Sequence, residues 1–259
     1  MSQPQRHDSA VPIPEYLPIK REFIRTGLVS CSQQGFNIAF GPLTGMRDGL
    51  AAWLRGLEPA DEHWLVPSLI RRDWVEYGVW SDPPAEMWCT EQPGGHLLTP
   101  RPLFHLLNRL RHHPSDGAVW LLEGPCTRHE DPEQTLPLKL QRSFYMLEYV
   151  AQAPEGALSV WMGELIDRLW QQAVAWDLPV DCSATEDGEA GMDLRLRLGD
   201  GEALRMARGW LVPEELIRVY GLGRQRLAAV SLGLERWCLA LLARYGGHHD
   251  KWPQLPPSG

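Results

Sequence analysis

The chain has 259 residues, a length that suits one main domain because single hydrophobic cores stop growing near about 250–300 residues. Hydrophobic residues make up 44% and charged residues 22%, a composition that excludes disorder, a coiled coil and a collagen-like fibre. The net charge of −8 gives no overall attraction to nucleic acid or to an anionic membrane, so an anionic ligand would have to be held locally.

The N-terminal residues contain no apolar signal region, and no run approaches about 18 apolar residues. The cysteines are five in number and form no CxxC pair, so neither a disulfide framework nor a zinc finger is indicated. We therefore expect a cytoplasmic protein that is neither secreted nor membrane-spanning.

Both ends of the chain are rich in proline and polar residues, which predicts a flexible tail at 1–18 and another at 247–259, with a single domain over 19–246. Apolar residues at helical spacing predict a helix over Met46–Leu57, which Pro59 stops. A short strand broken by Pro67 follows. After it we expect a helix whose inward face is formed by Leu69, Trp74 and Tyr77.

The rest of the chain alternates between helical and strand patterns. Helices are predicted over Leu103–Arg111, Leu158–Trp176 and Leu232–Gly246, and strands over Ala118–Glu123, Phe144–Ala151 and Met192–Leu198. The first two strands would form an antiparallel hairpin with a long loop. Hairpin strands and helices in separate blocks predict an α+β fold with an antiparallel sheet.

The predicted hairpin carries the first chemical signal. Alternation places Arg128 and Glu130 on one face of the first strand, and Phe144 and Glu148 on one face of the second. Arginine suits a phosphate, a carboxylate can accept from an exocyclic amine, and an aromatic ring can stack on a base. The pattern therefore indicates an ATP site. The alternative is an ordinary exposed hairpin face with an Arg–Glu pair.

The second signal is Gly233-Leu234-Glu235-Arg236 at the start of the final helix, where free backbone N–H groups favour anions. Arg236 could hold a polyphosphate tail there. The alternative is a surface helix that begins with a Glu–Arg pair.

Together these segments resemble the catalytic core of class II aminoacyl-tRNA synthetases over most of residues 27–246. GPCTRHE and QRSFYMLEYV resemble motif 2 of that family, and the segment Gly233–Arg236 resembles motif 3. WLVPSLIRRDWVEYGVWSDPP, LLTPRPLFHLLN and LGLERWCLALLARYG resemble the amino acid:carrier-protein ligases, small relatives of atypical seryl-tRNA synthetases. The resemblance implies a class II synthetase-like antiparallel β-sheet flanked by helices. It also implies a homodimer paired through Phe36–Leu57, in the place of motif 1, with Trp53 and Leu54 on one apolar stripe.

The resemblance implies an enzyme that uses ATP to adenylate a small carboxylic acid, an amino acid in the first instance. The acyl group would then pass to the phosphopantetheine thiol of a carrier protein. Arg128 would contact the α-phosphate and the substrate carboxylate, and Arg236 would hold the γ-phosphate. Glu130 would bind the adenine amine and Phe144 would stack on the ring.

The zinc ligands of those relatives, two cysteines and a glutamate, are not retained. Leu103 and Ala229 fall where the cysteines are expected, and only Glu148 matches. Zinc is therefore not expected, and Glu148 would instead pair with a substrate ammonium. Cys126 alternates onto the side of Arg128 and could reach the same pocket.

The resemblance also implies Mg²⁺, which would neutralise the leaving pyrophosphate, with Glu214 or Glu215 as its candidate ligand. A basic face formed by Arg195, Arg197, Arg205 and Arg208 would suit an acidic carrier protein, whereas the alternative is an edge strand protected by charge. The absence of a long tRNA-binding arm and the acidic net charge argue against a tRNA partner. Two further functions stay open: an amide-forming ligase in a biosynthetic pathway, and a non-catalytic synthetase paralogue that acts as a regulatory or binding subunit.

Overall fold

The computed structural model describes residues 14–31, 37–39, 41–76, 95–115, 117–128, 136–185 and 191–255. Its helices are α1 (Tyr16–Arg25), α2 (Pro42–Arg55), α3 (Arg72–Glu76), α4 (Leu103–His112), α5 (Glu155–Ala175), α6 (Glu214–Val219) and α7 (Leu234–Tyr245). Its strands are β1 (Val29–Cys31), β2 (Asn37–Ala39), β3 (Glu62–Leu65), β4 (Leu69–Arg71), β5 (His96–Leu98), β6 (Val119–Thr127), β7 (Ser143–Gln152), β8 (Val180–Ala184), β9 (Gly191–Arg197), β10 (Ala203–Leu211) and β11 (Leu227–Gly233).

Seven of these strands form one central sheet, in the order β3-β6-β7-β11-β10-β9-β8. Every neighbouring pair is antiparallel except β3 and β6, which run parallel with Glu62 opposite Trp120. The pairs β1-β2 and β4-β5 form two small separate sheets. The sheet confirms the α+β architecture expected from the sequence.

The two faces of the central sheet pack against different helices. On one face, Leu147 and Tyr149 of β7 belong to a core shared with α1, α2, α5 and α7. On the other face, Val150 belongs to a second core with α4 and α6, which covers one end of the sheet. Next to that second core, side chains of β7, β10 and β11 line a pocket.

The apolar stripe of α2 is used inside this chain. The ring of Trp53 makes T-shaped contacts with Trp176 and Trp237, at centroid distances of 4.8 and 5.4 Å. Trp53 and Leu54 are both buried in the first core. The stripe that was expected to pack against a second subunit therefore packs inside this chain. The homodimer stays a prediction, but the stripe does not support it.

Most of the predicted helices and strands form, with ends that shift by a few residues. The prediction after Pro67 is wrong in part, because Leu69 lies in strand β4 and is 43% exposed, whereas its neighbour Ile70 is buried. Trp74 is half-buried in α3, and Tyr77 lies outside the described residues. Strands β10 and β11 were not predicted, since a bulge between Arg205 and Ala207 breaks the alternation of β10 and nearly all of β11 is buried.

The packed body extends beyond residues 19–246 at both ends. Tyr16 begins α1, is buried, and donates its hydroxyl hydrogen bond to the carbonyl of Pro137 at 2.8 Å. At the other end, the indole of Trp252 donates to the carbonyl of Gly246 at 2.9 Å, and Leu255 packs on the first core. The folded domain therefore begins before residue 19 and ends after residue 246, and the expected tails are shorter than predicted. None of the helices in the described ranges is long and apolar enough to cross a membrane.

Candidate active site

The pocket lies where β7, β11 and β10 are neighbours in the sheet. Met146 and Ser231 line it from the strands, and residues 138–141 and the first turn of α7 complete its wall. Its charged lining, among the described residues, is six cations and one carboxylate: Arg101, Arg128, Lys139, Arg205, Arg208, Arg236 and Glu235. The acidic chain thus concentrates positive charge at one place.

Arg128 and Phe144 meet at the open end of the β6–β7 hairpin. Cys126 lies opposite Phe144 in the strand register, and the N–H of Arg128 donates to the carbonyl of Arg142 at 2.9 Å, which continues the ladder beyond β6. The Arg128 guanidinium lies over the Phe144 ring, 5.2 Å from its centroid. The two predicted ATP residues are therefore brought together, while Glu130 lies outside the described residues.

Arg236 enters the same pocket from the first turn of α7. Its Nη1 donates to the carbonyl of Arg205 at 2.9 Å and its Nε to the carbonyl of Lys139 at 3.2 Å. These contacts fix the guanidinium at the pocket wall. The adjacent Glu235 accepts the N–H of Tyr145 with both carboxylate oxygens at 3.0 Å, and burial raises the pKa of Glu235.

Glu148 is fully buried, and its carboxylate is occupied by groups of the protein itself. Its Oε1 accepts from Arg101 Nε at 2.8 Å and from Ser231 Oγ at 2.7 Å, and its Oε2 accepts from the N–H of Leu103 at 2.9 Å. The Arg101 guanidinium also covers the Trp210 ring at 4.2 Å. The expectation that Glu148 faces a substrate ammonium is therefore corrected, because Arg101 already supplies its counter-charge.

Leu103 and Ala229, which fall where the two zinc-binding cysteines are expected, have apolar side chains that cannot bind a metal. Leu103 reaches Glu148 only through its backbone, and Ala229 is buried in the second core. The side chains that contact Glu148 are those of Arg101 and Ser231. Arg101 lies two positions before Leu103 in the sequence, and Ser231 lies two positions after Ala229. The described part of the chain contains no group of three or more His, Cys, Asp and Glu residues placed to hold a metal ion.

Cys126 is not among the described residues that line the pocket. Its side chain is buried, its thiol donates to the carbonyl of Gly124 at 3.8 Å, and burial raises the pKa of the thiol. The expectation that Cys126 contacts the substrate is therefore corrected, because its side chain is buried inside the protein.

Glu214 and Glu215, the candidate magnesium ligands, lie in the exposed first turn of α6. Their carboxylates pair with Arg226 and Arg218, and neither residue is among the described pocket lining. Glu235, the described carboxylate of the lining, is held by a backbone N–H. Magnesium bound to ATP is usually held by one or two protein carboxylates, so the described residues do not fit such a site.

The structure adds pocket residues that sequence reasoning missed or placed elsewhere. Arg101 was missed, although it is a single arginine between two prolines in an apolar stretch. Arg205 and Arg208 were assigned to a basic outer face, but they line the pocket. Arg197 from the same prediction is exposed and pairs with Asp181.

Comparisons with known proteins identify the fold. No family model and no curated protein matches the sequence. The structure superimposes on M. kandleri SerRS, solved in complex with A. aeolicus tRNASec, with a TM-score of 0.79 at 17% identity, over 98% of this chain and 62% of that one. It also superimposes on a cytoplasmic serine-tRNA ligase of Naegleria fowleri in complex with AMP, with a TM-score of 0.76 at 11% identity, over 94% of this chain and 67% of that one.

A third match is the RNA binding domain of threonyl-tRNA synthetase from Cryptosporidium parvum Iowa II, with a TM-score of 0.74 at 12% identity, over 88% of this chain and 72% of that one. The chain spans less than two thirds of the M. kandleri protein. It therefore has the mixed α+β fold of class II synthetase-like domains, as the sequence indicated. Nothing in these matches singles out the carrier-protein ligases.

Proposed function

We propose that this protein is a ligase that uses ATP to adenylate a small carboxylic acid. The observation that carries the proposal is the convergence of Arg128, Phe144 and Arg236 in one cationic pocket of a class II synthetase-like sheet. A cation beside an aromatic face suits a nucleotide, since the ring can stack on the base while guanidinium groups bind phosphate oxygens.

In this proposal a carboxylate oxygen of the acid attacks the α-phosphorus of ATP. A phosphorus–oxygen bond forms, the bond to the leaving pyrophosphate breaks, and the product is an acyl adenylate. Arg128 stabilises the negative charge that develops on the α-phosphate, Phe144 stacks on the adenine, and Arg236 holds the γ-phosphate. Glu130 accepts from the adenine amine. Mg²⁺ would neutralise pyrophosphate, but no residue is assigned to it.

The acyl group then passes to an acceptor, and the leading acceptor is the phosphopantetheine thiol of a carrier protein. The sulfur attacks the acyl carbon, a thioester forms and AMP leaves. This part rests on the resemblance of the segments around Arg101 and α7 to carrier-protein ligases. If the acceptor is instead an amine, the same adenylate yields an amide.

A tRNA acceptor is the second candidate function. Two observations favour it: the neighbours are by name tRNA synthetases, and the M. kandleri structure contains a tRNA. They lean against the expectation that tRNA is not a partner. Incubation with a labelled acid and ATP separates the candidates, because label on a phosphopantetheinylated carrier protein survives ribonuclease treatment, whereas label on tRNA is lost after it.

ATP–pyrophosphate exchange over a panel of amino acids and simple carboxylic acids tests adenylation. Arg128→Ala should lower the exchange rate by about 100-fold or more, since one transition-state contact of this kind contributes about 2.7–4 kcal/mol. The circular dichroism spectrum should not change. The matched control is Arg218→Ala, an exposed arginine on α6 outside the pocket, which should keep the wild-type rate.

Two results would contradict the proposal. Near-normal exchange in Arg128→Ala would remove Arg128 from the site. No exchange by the wild-type protein with any acid of the panel would favour a non-catalytic synthetase paralogue that binds a ligand and regulates a partner.

A further inference from the structure

Arg101 is held in the pocket by three contacts that use only part of its guanidinium. Its Nε donates to Glu148 Oε1 at 2.8 Å, its Nη2 donates to Ser231 Oγ at 2.6 Å, and its Cζ lies 4.2 Å from the centroid of the Trp210 ring. Its Nη1 forms no hydrogen bond with the residues that the structure describes. The side chain lines the pocket and is 22% exposed, so Arg101 presents a fixed N–H donor to a ligand.

The hydroxyl of Ser231 places an acceptor beside that donor. Ser231 lines the pocket, and its hydroxyl hydrogen is donated to Glu148 Oε1 at 2.7 Å. A hydroxyl oxygen has two lone pairs, and one of them accepts from Arg101 Nη2. The other lone pair has no donor among the described residues. Arg101 and Ser231 therefore offer a ligand one donor and one acceptor side by side.

An ammonium group would find no carboxylate at this place among the described residues. Glu148 is fully buried and already accepts three hydrogen bonds. Glu235, the described carboxylate of the lining, contacts the N–H of Tyr145, which is three residues, or about 10 Å, from Glu148 along β7. An ammonium group, like a guanidinium, only donates hydrogen bonds. Beside Arg101 it would lose its water and gain only the oxygen of Ser231.

Between its two ends the floor of the pocket is apolar. Phe144, Met146 and Glu148 alternate onto one face of β7. Arg128 lies over Phe144 at one end, and Arg101 is bound to Glu148 at the other, about 13 Å away along the strand. Met146 lines the pocket between them. This arrangement suits a short carbon chain with one polar group at each end.

We infer that the activated acid is a short hydroxy acid, whose hydroxyl oxygen accepts from Arg101 and whose hydroxyl hydrogen is donated to Ser231. The assignment rests on the proposed adenylation and narrows its substrate to an acid with no amino group. The carboxylate of the acid reacts beside Arg128, and its carbon chain lies over Met146. Glu148 is a positioning residue, because it fixes Arg101 and does not touch the acid.

A matched set of four-carbon acids tests the inference: butyrate, the α-, β- and γ-hydroxybutyrates, and the α-, β- and γ-aminobutyrates. Calorimetric titration measures binding, and ATP–pyrophosphate exchange measures the reaction. At least one hydroxybutyrate should bind about 10-fold more tightly than butyrate, since a hydrogen bond from a charged donor is stronger than one between neutral groups. It should also bind about 10-fold more tightly than the aminobutyrate substituted at the same carbon, because the ammonium group cannot accept from Arg101.

Two variants of the hydroxyl contacts and one control accompany the titrations. Arg101→Lys keeps a positive charge beside Glu148 but loses the planar set of donors, and it should lower the hydroxybutyrate-to-butyrate ratio of affinities by about 10-fold. Ser231→Ala removes the acceptor and should also lower the ratio. The matched control Arg218→Lys, on the exposed side of α6 outside the pocket, should leave the ratio unchanged. Circular dichroism shows which variants fold, and Ser231→Ala decides if Arg101→Lys does not.

Three results would overturn the inference. The first is that each aminobutyrate binds at least as tightly as its hydroxy counterpart, and loss of that binding in Glu235→Gln would then place the ammonium at Glu235. The second is that no hydroxybutyrate binds more tightly than butyrate. The third is that folded Arg101→Lys and Ser231→Ala proteins keep the wild-type ratio.

A failure of adenylation alone looks different. A hydroxybutyrate would then bind in the Arg101-dependent way but support no pyrophosphate exchange. The hydroxy acid site would stand in that case, while the proposed reaction fails.

Discussion

At the scale of single residues, Glu148 shows how the protein stabilises a buried charge. An unpaired carboxylate inside a protein costs several kcal/mol, but this one is paired with Arg101 and also accepts hydrogen bonds from the Ser231 hydroxyl and a backbone N–H. The Arg101 guanidinium is in turn covered by Trp210. The group holds α4, β7 and β11 together beneath the pocket, so its first role is structural.

Glu148→Gln should therefore destabilise the protein. Removing one partner of a buried ion pair leaves Arg101 without its counter-charge, and we expect the free energy of unfolding to fall by about 2–4 kcal/mol. Urea unfolding followed by circular dichroism measures the loss. Glu215→Gln, at an exposed residue 3.8 Å from Arg218, should change stability by less than about 0.5 kcal/mol. If the Glu148→Gln protein has normal stability and loses affinity only for amino acids, this account is wrong and Glu148 does contact a substrate ammonium.

The partners of Glu148 could not have been predicted from the sequence. Alternation along β7 correctly placed Glu148 on the same face as Phe144, because the period of a strand is two residues. It could not identify Arg101, 47 positions earlier, or Ser231, 83 positions later. Those contacts depend on which strands become neighbours, and local pattern carries no information about that.

At the scale of helices and strands, predictions succeeded where the pattern was regular. The helices α2, α4, α5 and α7 and the β6–β7 hairpin follow a clear period and were found. Strand β11 is buried along nearly its whole length, so it has no alternation to detect, and its last residues, Leu232 and Gly233, were assigned to the following helix. The missed strand is the one that brings Ser231 into the pocket, so the site could be predicted only in part.

Strand β6 contains a glycine, Gly124, at a position where neighbouring atoms leave no room for a side chain. A Cβ atom at Gly124 would lie 2.5 Å from the backbone oxygen of Val66, which cannot turn away as a side chain can. Gly124→Ala should therefore destabilise the fold by about 1–3 kcal/mol. A Cβ atom at Gly163 in α5 would meet no atom within 4 Å apart from its chain neighbours and the backbone of its own helix, so Gly163→Ala should stabilise the protein by about 0.5–1 kcal/mol. Thermal unfolding of both variants tests these two predictions. Equal changes in the unfolding temperature of the two variants would contradict this account of β6.

At the scale of the whole molecule, the charge distribution matters more than the net charge. The chain carries −8, yet its pocket is lined mainly by cations. Composition alone argued only that an anion would have to be bound locally, and the pocket is where six cations of the described residues converge. Focused positive potential in a concave site attracts anionic ligands even when the rest of the surface is acidic.

The homodimer is the remaining prediction at this scale. Trp53 and Leu54 of its expected surface are buried within this chain, so the prediction depends on the resemblance of Phe36–Leu57 to motif 1. Sedimentation at micromolar concentration should give a dimer. A wild-type protein that sediments strictly as a monomer would remove the prediction.

The position of β11 also has a consequence for how the protein is made. This strand lies between β7 and β10 in the sheet, but all other strands precede it in the chain. During synthesis, β7 and β10 must therefore wait with open edges until residue 233 has left the ribosome. Open strand edges are sites where chains associate wrongly. The interval between the emergence of β10 and that of β11 is thus when the nascent chain is most exposed to wrong strand pairing at these two edges.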